Sequence, residues 1–488
     1  MTPSYALAAW FFTRALGLIY FVAFVSLAVQ TRGLFSSHGV APIRDYMAAV
    51  ERGTDESRYW QVPSLFWLDQ SNEFLMTVAV TGAVAAAAVV FGFAQGWMLL
   101  VCFLFYLSFV SAGQPFMAFQ WDSLLLEVGF VALFAVSWNW DFGLRFAAEP
   151  HWSVRWMFLL VLFKLMFLSG VVKIMSGDES WRDFSALSFH YWTQPLPNPA
   201  SLFMHAMPLW THRVATFLTF AIELILPFLM FWPRARVGVA FGFIGLSVLI
   251  LLTGNYTFFN FLTIALCVWL IPDSWWERVW MPLDLEISGA PLFVSPVTVA
   301  VMSVLALLTF VWCTRWIYPE SVLTKLWPTL RTAQALHISS SYGLFAVMTK
   351  TRSEIVIEGS MDGREWKEYE FKYKPGGLYR TPPVVAPHQP RLDWQMWFAA
   401  LGSFPGNPWI GNLMLRIFES RAEVLSFFAW NPFPDTAPKY LRARMYDYQM
   451  TRPGQLFDSG QWWTRQPLGN YTPIFENPAA GREAQEAK

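Results

Sequence analysis

Two patterns divide the chain. Through residue 313, long apolar runs are separated by short polar breaks; beyond it the runs shorten and begin to alternate with polar positions. Runs able to cross about 30 Å of hydrocarbon lie near 7–29, 74–94, 96–112, 121–138, 152–175, 213–232, 236–252, 257–272 and 292–313. They predict about nine spans, with eight to ten as the range because the runs around 96–112 and 236–272 are short. The first run has no basic segment before it and carries Arg14 inside it, so it reads as a retained anchor rather than a signal peptide.

In the last third the period changes to two. Ser353–Ser360, Trp366–Lys374 and Lys439–Tyr448 alternate apolar and polar positions as strands do, with a turn signal at Met361-Asp362-Gly363. Between them Arg391–Leu401 and Asn407–Ser420 read as helices, the second with Pro408 in its first turn. The expected architecture is a multi-pass α-helical membrane bundle carrying a C-terminal β-rich α+β soluble domain. The expected boundaries are a bundle at 1–313, a linker at 314–336, the β-rich domain at 337–476 and a polar, disordered tail at 477–488.

Composition agrees with that division. Residues are 55% hydrophobic and only 14% charged, against about 25% charged in soluble domains. Residues 1–313 hold 14 basic and 18 acidic side chains, leaving 20 basic and 16 acidic for the rest. The balanced total, 34 of each sign, argues against nucleic acid as a partner. The 27 Trp and 45 Phe suit helices ending in a membrane interface, and membrane lipids are the expected surroundings. Short connections bearing Arg145, Arg155, Arg234 and Arg236 favour one side as cytoplasmic, which puts the C-terminal domain outside. Cys102, Cys267 and Cys313 all fall within predicted spans, so no disulfide framework is expected.

Ionisable groups inside spans each cost roughly 2.5–3.5 kcal/mol and need a reason. Arg14 and Asp122 lie near span ends, where snorkelling or capping suffices. Lys164 and Glu223 fall near mid-depth of consecutive spans and are expected to form a structural ion pair. Lys164 and Lys173 are nine residues apart, about 180° around a helix, so they should not serve one site. Asp122 and Glu127 are five apart, about 140° around, and do not make a catalytic dyad on one face.

The connection 176–212 combines Trp181, Trp192, Trp210, three histidines and four prolines. It is read either as an interfacial loop or as one wall of a pocket near Lys173. Trp181, His190, Trp192 and Gln194, with Asn255 and Asn260 from the polar break Thr253–Asn260, form the candidate functional loop. His205 and His212 lack a third ligand nearby, so neither a metal nor another cofactor is expected. Gly238 and Gly242 have the spacing of a helix-packing motif. No G-x-S-x-G, P-loop, H-E-x-x-H or dinucleotide-binding glycine pattern occurs.

Several segments are long enough to be specific: Gln120-Trp-Asp-Ser-Leu-Leu-Leu-Glu127, His190-Tyr-Trp-Thr-Gln-Pro-Leu-Pro-Asn-Pro199, Thr253-Gly-Asn-Tyr-Thr-Phe-Phe-Asn260, Phe371–Gly376 and Val385–Phe398. Through them the chain resembles the lipase maturation factor family over nearly all its length. The resemblance implies a non-enzymatic membrane chaperone helping a secreted, lipase-like client to fold and assemble. Its C-terminal domain would be lumenal in an endoplasmic-reticulum membrane, or periplasmic in a bacterial cytoplasmic membrane. It also makes His388, Arg391, Trp394 and Trp397 candidates for the client surface.

A fainter similarity, in Gly170-x-x-Lys173 and the Trp181 that follows, is to the membrane domain of the vitamin K-dependent gamma-carboxylase. It implies the alternative of a membrane enzyme using Lys173, with His190, as acid/base groups on a lipid-like or quinone-like substrate. A transporter fits less well, since the six span charges are scattered rather than aligned.

Overall fold

The computed structural model describes residues 4–54, 57–143, 145–279, 285–291, 296–315 and 327–479. Positions 316–326 of the expected linker at 314–336, and 480–488 of the expected tail at 477–488, lie outside the described residues. Among the described residues, seven helices are long and apolar enough to cross a membrane. They are α1 (Ala6–Phe35), α2 (Asn72–Val90), α3 (Gln95–Ala112), α5 (Trp152–Met175), α7 (Leu209–Leu229), α8 (Arg236–Thr253) and α10 (Pro296–Arg315). The other two apolar runs form shorter helices, α4 (Gln120–Ala132) and α9 (Phe259–Leu270). Between α5 and α7 the chain makes a short helix, α6 (Ala186–Thr193), which stops where Pro195, Pro197 and Pro199 remove backbone donors.

Helix α4 departs most from the expected pattern. Thirteen residues rise about 20 Å, too little to cross alone, and the helix is enclosed by the bundle, with Asp122, Leu124 and Glu127 at 0% exposure. Helix α1 is long for the opposite reason. Its 30 residues rise about 45 Å, beyond the hydrocarbon, and its last turns serve as a post for the C-terminal region. Packing along α1 is close where glycine allows it: a Cβ on Gly82 of α2 would sit 2.4 Å from the Phe24 ring.

The C-terminal region is built on an antiparallel sheet. Strand β1 (Arg352–Ser360) pairs with β2 (Tyr440–Met450) over nine consecutive positions, from Arg352 opposite Tyr448 to Ser360 opposite Tyr440. Strand β2 then pairs with β3 (Trp463–Asn470), with a bulge at Met445/Tyr446. The expected strand at 366–374 is split: Lys367–Glu368 extends the sheet beside β1, whereas Glu370–Phe371 pairs with Phe428–Trp430. Period-two alternation puts Ile355 and Ile357 into the core and Glu354 and Glu358 on the opposite face. That second face is also buried, and charge pairs satisfy it: Glu354 with Arg352 at 2.7 Å and Lys374 at 2.8 Å, Glu358 with Arg442 at 2.6 Å. Helix α11 (Arg391–Ala400) packs on β1, and both it and α12 (Trp409–Phe418) join the bundle's hydrophobic cluster.

Candidate functional site: a polar seam and the cavity beneath it

The polar residues of the bundle meet the C-terminal region along one seam. Arg391 of α11 is 1% exposed and fully paired at its guanidinium ends. Nη1 donates to Asp122 Oδ2 at 2.9 Å and the Phe116 carbonyl at 2.7 Å, and Nη2 donates to Asp122 Oδ1 at 2.9 Å. Tyr106 donates its hydroxyl proton to the same carboxylate. Asp122 is therefore neither a cap nor a snorkelling residue, as its distance from the span end had suggested. It is the buried anion that holds the C-terminal region down. The top of α1 adds to the clamp: Gln30 accepts from the Arg391 amide at 2.8 Å and donates to the Gln389 carbonyl at 2.7 Å.

Glu127 anchors a second point. It accepts from Lys164 Nζ at 2.5 Å, from the Ser340 amide at 3.3 Å and from the Tyr342 hydroxyl. Nearby, the Gln120 side chain brackets the Gly343 peptide with two hydrogen bonds of 3.0 and 3.2 Å. Residues 338–348 are thereby pinned across one end of the bundle.

The expected Lys164–Glu223 pair does not form. Lys164 is taken by Glu127, and Glu223 binds Lys173 with both oxygens at 2.8 Å. Depth along a span sets the height of a side chain but not its direction around the helix. Lys164 faces α4; Lys173, on the other side of α5, faces α7. Glu223 lies in a π-helical turn, Ala221–Ile225, a local widening frequent at functional positions. Gly170, one turn before Lys173, lets α7 come close, since a Cβ there would be 2.6 Å from Leu224.

The connection 176–212 and the break at 253–260 fold against each other and against the C-terminal region. Gln194 donates to the Thr253 carbonyl at 2.7 Å and accepts from the Tyr256 hydroxyl at 2.9 Å. A Cβ on Gly254 would be 2.1 Å from Gln194 Oε1, so any larger residue forces that amide out of its place. Asn255 spans the seam, accepting from the Val385 amide at 2.7 Å and donating to the Pro383 carbonyl at 2.9 Å. Arg352 reaches the other way, donating to the carbonyls of Trp192, Gln194 and Pro195 at 3.0, 2.5 and 2.9 Å. Trp192 packs on the sheet beside Tyr448 and Trp463. Trp181 donates to the Phe345 carbonyl at 3.0 Å, and Lys173 sits 5.3 Å from its ring centre.

The residues expected to form a client surface lie in this seam instead. Trp394 and Trp397 are buried, Trp397 donating to the Thr193 carbonyl at 3.0 Å. His388 is half-buried, its Nδ1 2.9 Å from the Ser26 hydroxyl. Aromatic and basic character in Val385–Phe398 reflects docking onto the bundle, a demand that an isolated soluble domain would not face.

Below residues 344–348 lies a cavity of about 270 Å³. Lys173, His190, Glu223, Tyr256 and Asn260 form its polar end, and side chains of α5, α7, α8 and α9 form apolar walls. His190 Nε2 is 3.3 Å from the Tyr256 hydroxyl, and its ring is parallel to that of Tyr256. Burial, with Lys173 adding, pushes the His190 pKa down to about 4. Sequence reasoning brought Lys173, His190, Trp181 and Asn260 near one another but missed Tyr256, Phe345 and the Lys173–Glu223 pairing. Tyr256 was in plain view inside the 253–260 segment; the others depend on helix azimuth and on a crossing from residue 345.

Comparison with known proteins follows the same two parts. Residues 7–278 match the lipase maturation factor transmembrane domain, and residues 338–473 match the lipase maturation factor C-terminal domain. The chain belongs to the lipase maturation factor family. Human lipase maturation factor 2 is 32% identical, with 95% of this chain and 82% of the relative covered. Lipase maturation factor 1 of Bos taurus is 32% identical, with 94% of this chain and 87% of the relative covered. The human lipase maturation factor 1 is likewise 32% identical, at 94% and 86% coverage. Membership and the spanning helices together make this an integral membrane protein. No solved structure matches the chain, so the gamma-carboxylase similarity gains no structural support. Lys173 also gives the enzymatic alternative none: Glu223 and the Ser169 carbonyl, the latter at 3.1 Å, take its three protons.

Proposed function

We propose that this member of the lipase maturation factor family is a membrane-anchored chaperone. It holds a secreted, lipase-like client on the C-terminal domain, which stands on the lumenal or periplasmic side. The names of its relatives support the client class. The observation that carries the reading is a pair of large aromatics outside the seam. Phe457 is 78% exposed, and Tyr379, 66% exposed, has its ring beside Gly460, three residues further along the same turn. Gln461 steadies Tyr379 by donating to its hydroxyl at 3.0 Å. Exposed aromatics held in place are suitable anchors for a partner, and the docked seam fixes them relative to the membrane.

Deleting the whole domain is a poor test, because it strips Asp122 and Glu127 of their partners inside the bundle. The double substitution Phe457→Ser with Tyr379→Ser leaves the seam intact. With a co-expressed secreted lipase, it should lower secreted lipase activity several-fold without moving the factor's own melting temperature. Undiminished lipase activity would count against this face. Protease protection of residues 338–473 in sealed vesicles reads the side on which the domain stands.

A further inference from the structure

We infer that the cavity beneath Phe345 is a binding site for an uncharged amphiphile carrying a hydroxyl group, entered sideways from the lipid between α7 and α8. This goes beyond the chaperone reading and needs no client. The walls contributed by Leu165, Ile222, Leu246 and Ile250 suit a hydrocarbon chain. The rim carries Leu218 and Leu249, 52% and 59% exposed on two membrane-spanning helices, so a chain can run out between them into the bilayer.

The polar end selects the head group. The ammonium of Lys173 is neutralised by both oxygens of Glu223 and has no free proton to offer. A carboxylate or phosphate would therefore meet Glu223 without a spare cation, and a charged head is disfavoured. Two groups of the lining remain unsatisfied: Asn260 Nδ2, on a residue 1% exposed, and His190 Nδ1 both lack a hydrogen-bond partner among the described residues.

Their roles follow from the surrounding bonds. Gln194 Nε2 donates to the Tyr191 and Thr253 carbonyls, so Gln194 Oε1 is the acceptor that takes the Tyr256 proton. The Tyr256 oxygen is then left to accept from His190 Nε2–H, which leaves His190 Nδ1 as a bare acceptor. Asn260 supplies a donor and His190 an acceptor. A hydroxyl group, which both accepts and donates, complements the two together. His190 is half-buried and its ring lines the cavity.

Photolabelling the full chain in lipid nanodiscs tests this. The probe is a diazirine-bearing long-chain monoacylglycerol, compared with a fatty acid and a methyl-capped chain carrying the same diazirine. The hydroxyl probe should label cavity peptides about tenfold more than either control, the worth of roughly one well-made hydrogen bond. Asn260→Leu should remove that preference. Leu249→Trp, a change on the lipid-facing rim that does not disturb the core, should block labelling by the hydroxyl probe at unchanged melting temperature. Equal labelling by all three probes, no labelling above background in the native chain, or full labelling of Leu249→Trp would overturn the proposal. Because no lipase is present, failure here leaves the chaperone reading untouched.

Discussion

Arg391 and Asp122 give the sharpest test of how the two parts are joined. Arg391→Met keeps most of the side chain's volume but removes two bonds to Asp122, one to the Phe116 carbonyl and the contact with Tyr106. Asp122, at 0% exposure, is left as a buried anion with one hydroxyl partner, a situation that costs about 3–5 kcal/mol. Replacing both members, Asp122→Leu with Arg391→Met, removes the orphan charge. It leaves the Phe116 carbonyl and the buried Tyr106 hydroxyl without these partners, each worth about 1–3 kcal/mol. The double variant should thus be more stable than Arg391→Met alone, with a coupling on the order of 2 kcal/mol. Denaturant unfolding in mild detergent gives the free energies, and limited proteolysis near residues 338–348 reports undocking. Strict additivity of the two substitutions would refute the claim that this pair clamps the domain.

Two further outcomes follow from the same geometry. Gly254→Val should collide with Gln194 Oε1, break the Gln194–Tyr256–His190 chain and destabilise by about 1–3 kcal/mol; amide exchange that is fastest around 190–196 would locate the damage, and an unchanged melting temperature would contradict it. Acid should also loosen the seam: His190, His337 and His388 are each pushed down to about 4, burial being the main cause. Unfolded histidines near 6.5 bind protons that the folded ones refuse, so stability is present above about pH 6.5 and is lost as pH falls toward 4, by up to about 3 kcal/mol per histidine. Asp393, raised to about 6 by burial, works in the opposite direction between pH 4 and 6, but as one group against three. A melting temperature that is flat from pH 7 to 4.5 would refute this balance.

Much of the architecture was legible because its signals are one-dimensional. Apolar runs mark spans whatever they pack against, and the period of two at 353–360 and 439–448 marks the central strand pair. What escaped was direction. Position within the apolar runs gave the depth of Lys164 and Glu223, but the partner each one faces depends on azimuth, on the π turn at 221–225 and on the missing side chain at Gly170. The seam was hidden for another reason. Arg391, Trp394 and Trp397 look like surface residues of a soluble domain, because nothing local announces that another domain's buried carboxylate awaits them. The candidate loop was located by its unusual composition, although much of what made it unusual proved to be docking.

The seam also imposes an order on synthesis. Gln30 is made early, yet its partner Arg391 follows 361 residues later; Asp122 waits 269 residues for the same arginine, and Glu127 waits 215 for Tyr342. Until the C-terminal region emerges and docks, the bundle carries carboxylates prepared for partners that do not yet exist. A chain cut short before residue 338 keeps Asp122 without its guanidinium, so the membrane part alone cannot reach its final packing. The last domain to be made completes the first, and an unfinished copy is marked by charge left bare in its own interior.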